Sequence, residues 1–166
     1  MTSLIDPAVR DFAAERGLSV DRVSQYVEET LTGFITTMLW SESCRGSAPT
    51  VICDHFGKVG EDAGECDRSL EYLNYGESDL AGAAYDEIRG DVVDFVIANW
   101  DDLMGDGDER LIDAGQAGQD FLLTRNGHGA GFWDRGLGER GDRLTANAKP
   151  YGETNAYVGD DELIYV

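Results

Sequence analysis

Eighteen of the sixty residues between positions 61 and 120 are Asp or Glu, against three Arg, so that third of the chain carries 3 − 18 = −15. The whole chain of 166 residues carries −20. Its flanking thirds are close to balanced, at 5 − 8 = −3 over residues 1–60 and 5 − 7 = −2 over residues 121–166. Concentrated like charge repels itself in a compact state. Such a segment folds only if its carboxylates gather on one side and its apolar residues on the other, and the periodicity decides whether they do.

Residues 87–104, set at 100° per residue, place Ile88, Val92, Val93, Phe95, Val96, Trp100, Leu103 and Met104 on one broad arc. Glu87, Asp91, Asp94, Asp101 and Asp102 fall opposite. The pattern predicts a central helix with a carboxylate ridge, ending in the acidic turn Gly105-Asp106-Gly107-Asp108. Upstream, Asp6-Pro7 reads as an N-cap with Pro at the first helical position, and Gly17 as the stop of a short helix. Ser19 caps a longer helix. Its apolar residues from Val20 to Leu39 recur at three and four, and it should run to about Trp40. From 41 to 78 periodicity fails, and apart from Thr50-Val51-Ile52-Cys53 the segment reads as an irregular surface excursion.

The last third predicts two hairpins around a helix. Residues 120–125 and 130–134 read as strands joined by Asn126-Gly127-His128-Gly129, since Asn-Gly favours the positive φ of a tight turn. Residues 138–149 suit a helix ending before Pro150, and 156–158 and 162–166 flank a Gly159-Asp160-Asp161 turn. The expected class is α+β: N-terminal helices and an acidic central helix packed with a small antiparallel sheet.

Length predicts one domain over 1–166, and apolar residues at 42% suffice for a real core despite the charge. No basic, then apolar, then small-residue leader opens the sequence, and the most apolar stretch is far shorter than the ~20 residues of a membrane span, so a cytoplasmic protein is expected. Three cysteines cannot all pair within one chain, and free thiols are the default in a reducing cytosol. The acid excess argues against direct contact with nucleic acid or anionic lipid, because phosphates need Lys and Arg. Partners should be basic, cationic or neutral.

The run Asp120-Phe-Leu-Leu-Thr-Arg-Asn-Gly-His-Gly-Ala-Gly-Phe-Trp-Asp-Arg135, followed by Gly-Leu-Gly-Glu-Arg-Gly-Asp-Arg-Leu144 and Tyr157-Val-Gly-Asp-Asp161, resembles a family of small acidic proteins encoded by bacteriophages and mobile elements. The resemblance covers most of residues 117–166, and Met38-Leu39-Trp40-Ser41 and the acidic helix take similar places upstream. It implies an accessory gene of the kind that acts on host proteins, and it carries over no catalytic residue.

The acidic ridge has three readings. It imitates the phosphate spacing of DNA, about one charge per 1.7 Å, and occupies a nucleic-acid cleft; it is a solvated face; or it is salt adaptation. The first leads to a phage-type inhibitor of a restriction or CRISPR effector, with Glu87, Asp91, Asp94, Asp101, Asp102, Asp106 and Asp108 as contacts and His128 and Trp133 as secondary anchors. No cofactor is expected. The alternative is a small hydrolase or nuclease-like enzyme in which His128 and Asp134 meet across the hairpin. Against it stands a hairpin in which Trp133 packs and Arg125 pairs with Asp134. Cys44, Cys53, His55 and Cys66 supply zinc-type ligands at irregular spacings, and Asp101 to Glu109 supplies oxygens without the calcium-loop order.

Overall fold

A computed structural model describes residues 5–42, 68–105 and 109–166. The N-terminal expectations hold. α1 spans Pro7–Arg16, with the Asp6 carboxylate accepting the Ala8 N–H at 2.9 Å and Gly17 closing it at φ 63°. α2 spans Val20–Ser41 behind Ser19, and Val23, Tyr26, Val27, Leu31, Phe34, Ile35 and Met38 form its buried stripe.

After turns at 68–75 and a one-turn 3₁₀ helix at Glu77–Asp79, α3 runs Gly82–Ala98. The predicted central helix is not continuous. It breaks at Asn99, buried at φ −116° and ψ 17°, whose side-chain amide donates to the Phe95 carbonyl and whose Oδ1 accepts from Asn147. A four-residue helix, α4 (Trp100–Leu103), follows, so Asp101 and Asp102 belong to a separate helix from Glu87, Asp91 and Asp94.

The second correction concerns residues 120–125, which form no strand. They end α5, Ala114–Arg125, whose N-cap Asp113 accepts from the Gln116 N–H at 3.1 Å. Every residue from Asp120 to Arg125 is buried, and a run enclosed on all sides has no helical periodicity to read. The Asn-Gly signal was real but ends a helix. Gly127 takes φ 63°, its N–H reaches the Thr124 carbonyl, and the His128 N–H reaches the Leu123 carbonyl at 3.0 Å, the pair of bonds that caps a helix C-terminus. Residues 132–134 then form one 3₁₀ turn, where a second strand was expected.

α6 spans Glu139–Ala148, and β1 (Tyr157–Val158) pairs antiparallel with β2 (Ile164–Tyr165) in the register Tyr157 to Tyr165 and Val158 to Ile164. The fold is α+β, mostly helical, with one hairpin where two were expected. The Ala81 N–H donates to the Ile164 carbonyl at 2.9 Å, tying the hairpin to the start of α3. One hydrophobic cluster draws on all six helices and both strands, and at its centre Phe95 stacks on Phe121 at 4.1 Å between centroids. Among the described residues no helix is long and apolar enough to cross a membrane.

α2 and α5 meet backbone to backbone. A Cβ on Gly118 would overlap the Thr30 carbonyl oxygen and stand 2.6 Å from the Phe34 amide nitrogen, and one on Gly33 would overlap the Gly115 carbonyl. Neither neighbour can rotate away, because both are main chain. Gly118→Ala should therefore cost about 3 kcal/mol by forcing the helices apart. Gly90→Ala, inside α3 with nothing within 4 Å of its Cβ, should stabilise by about 0.5–1 kcal/mol. Chemical denaturation of the two variants checks both signs.

Candidate functional site

The ridge carboxylates separate into two groups. Glu87 and Asp94 stay exposed on α3, with Asp86 beside them. Asp91 is held by Arg125 at 2.8 Å, Asp101 by Arg16 of α1, and Asp102 by Arg143 of α6 at 2.6 Å. The hydrogen bond from Arg143 keeps the Asp102 carboxyl below the usual carboxylate range. Asp106 and Asp108 lie outside the described residues.

These pairs follow a rule. Asp91, Asp101, Asp102 and Asp120, all of the acidic third, meet arginines from the flanks, and two of that third's own three arginines, Arg89 and Arg110, meet Glu28 and Glu29 of α2. Among the described residues six ion pairs thus cross between the acidic third and the flanks. Part of the charge asymmetry is complementarity within the fold.

Residues 120–135 form a scaffold in which Asp120, Thr124, Arg125, Asn126 and Arg135 are engaged. Asp120, fully buried, takes a two-pronged grip from Arg135 and a hydrogen bond from Gln116. The Thr124 hydroxyl accepts the Phe132 N–H at 3.1 Å. Arg125, its side chain 5% exposed, donates to Asp91 and to the carbonyls of Tyr151 and Gly152, and lies over the rings of Phe34, Phe121 and Tyr151. Asn126 bonds both main-chain groups of Thr154. Arg125 therefore pairs with Asp91, where the hairpin reading had Asp134.

His128 and Trp133 are exposed. Among the described residues no hydrogen bond or ion pair joins His128 to Asp134, so the acid/base pair that a hydrolase would need is not assembled. Among them, too, no group of three or more His, Cys, Asp or Glu could hold a metal ion. Cys44, Cys53, His55 and Cys66 lie outside the described residues. Removing the buried guanidinium with Arg125→Ala strands Asp91 and two carbonyls and should cost about 3 kcal/mol or more. Arg10→Ala, which breaks a pair exposed on both sides, should change stability by about 0.5 kcal/mol at most. Thermal melts of the two variants should differ accordingly.

His128 faces elsewhere. With Trp40, Ser41, Leu123, Gly129 and Ala130 it lines a cavity of about 430 Å³ at the end of α2. Trp40, 45% exposed, also walls a neighbouring cavity of about 490 Å³ over the α2–α5 contact, where Glu29, Asp113 and Gln119 contribute. Sequence reasoning passed over this groove. Its one signal was a large aromatic at the end of an apolar helix, one step past the arc that Met38 and Leu39 bury.

Glu42, next to Ser41, is half-buried and accepts from the Asn126 amide at 3.4 Å. Burial raises its carboxyl above the ordinary value, and the nearby His128 and the Asn126 bond pull it part of the way back. A carboxyl raised by folding favours the folded state while protonated, and that contribution is lost as pH climbs through the raised value. Glu42→Gln should therefore raise Tm at pH 7, with the gain closing below about pH 4, where the unfolded carboxyl is protonated too. Melts from pH 3 to 8 test the sign.

Comparison with known proteins adds no relative: no family model, no curated protein and no solved structure matches the chain.

Proposed function

We propose that the protein is a non-catalytic, phage-type acidic inhibitor that binds the basic nucleic-acid surface of a host defence protein such as a restriction or CRISPR effector. The observation that carries this reading is an excess that no internal pairing can remove. The chain has 33 carboxylates and 13 arginines and lysines, so 20 carboxylates stay unmatched even if every basic side chain takes one. An excess of that size strains the folded state and is balanced when a cationic surface meets it. The resemblance of residues 117–166 to phage-encoded acidic proteins points the same way.

The contact set is smaller than the ridge. Glu87 and Asp94, with Asp86, are the carboxylates of α3 that face solvent, whereas Asp91, Asp101 and Asp102 serve the fold through their arginines. His128 and Trp133 keep their place as exposed anchors. Complementary charge should speed encounter and make association sensitive to salt.

Immobilised protein offered a bacterial lysate at low salt should retain nucleic-acid-binding proteins and release them to added duplex DNA or to 0.5 M salt. Glu87→Lys with Asp94→Lys should cut that capture about tenfold or more, since like charges now face the partner. Capture that ignores duplex DNA, or survives the double reversal intact, overturns the reading.

A further inference from the structure

Cations in this protein are matched to rings as well as to carboxylates. Arg16 lies over Phe12, Arg22 over Trp100, Arg110 over Tyr26, and Arg125 over three rings. Among the described residues no guanidinium lies over Trp40, although its indole is 45% exposed and forms the wall shared by the cavities of about 490 and 430 Å³. A pocket of that size is what a single long side chain needs.

The lining is complementary to a cation. Among the described residues neither cavity is lined by an arginine or a lysine, and His128 lines the smaller one. Asp113 and Glu29 line the larger cavity with Trp40, Glu29 already bonded to Arg110. Ser41 lines the smaller cavity beside Trp40. A guanidinium brings five N–H groups, and the carboxylates that line the larger cavity can accept them.

We propose that the groove around Trp40 receives an arginine side chain of the basic partner, its guanidinium stacked on the indole on the side that Asp113 and Glu29 line. The proposal rests on the partner being basic, and it names the place where one of that partner's side chains is read. Arginine fits better than lysine because its planar face matches the indole while its edge still donates, whereas an ammonium is a compact, strongly hydrated point charge. Trp100 is no rival site, being buried under Arg22, and Trp133 lies outside both cavities.

The test uses hexa-arginine and hexacitrulline peptides, equal in shape and opposite in the property that matters. In ¹⁵N-labelled protein the Trp40 indole N–H resonance should move saturably with hexa-arginine and stay still with hexacitrulline. Trp40→Leu should weaken hexa-arginine binding by about tenfold, Trp40→Phe should fall between, and Tyr72→Leu, which changes an exposed ring outside both cavities, should bind like the parent. An unmoved Trp40 resonance, an equal response to hexacitrulline, or a Trp40→Leu variant that folds and binds like the parent overturns the proposal. These outcomes separate from the inhibitor reading. If only the groove is wrong, lysate proteins are still captured and released by duplex DNA; if only the inhibitor reading is wrong, Trp40 still responds to hexa-arginine while that capture fails.

Discussion

The contact between α2 and α5 at Gly33, Gly115 and Gly118 sets the distances for everything else. With no side chain at the crossing, the two backbones close to van der Waals range, and Phe34 and Phe121 meet across the interface at 5.7 Å. That closeness seats Phe121 against Phe95 and so brings α3 onto the pair. It also carries Arg125, the last residue of α5, to Asp91 of α3 and to the carbonyls of the C-terminal segment. A wider crossing would leave that guanidinium buried without its partners, a state far more costly than an exposed break.

Charge plays two parts here. A first set of carboxylates works as fastening: among the described residues the acidic third and its flanks exchange six arginine pairs, joining α1 to α4, α2 to α3, α3 to α5 and α4 to α6. Most of these are partly exposed, so each is modest in energy and their main effect is to fix which surfaces face each other. Among the described residues Glu87 and Asp94 have no such pair. Glu87 and Asp94 stand one helical turn either side of Asp91 on the same helix, yet only Asp91 is held. Sequence periodicity treats the three alike; tertiary packing does not.

What could be read from the sequence was local. Asp6-Pro7 and Gly17, Ser19 with its apolar stripe, the helix before Pro150 and the Gly159-Asp160-Asp161 turn all act through neighbouring residues, and α1, α2, α6 and the β1–β2 hairpin appear where those signals put them. What could not be read was set by distant residues. Phe121-Leu-Leu-Thr124 looks like a strand because it is enclosed on all sides, and the enclosing surfaces come from other helices. The break at Asn99 depends on Asn147, forty-eight residues on. The choice of Asp91, Asp101 and Asp102 as ion-pair partners depends on arginines of α1, α5 and α6. The groove at Trp40 needed α5 laid beside α2 before it existed at all.

Thr124, Arg125 and Asn126 stand consecutively, and each reaches a different stretch of chain: Phe132, then Tyr151 and Gly152, then Thr154. Three neighbours thus clasp three segments with three kinds of chemistry, and none can be exchanged without releasing its own strand of the knot. The clasp holds the interior of residues 124–154 together, while His128 and Trp133, on the outside of the same run, take no part in it.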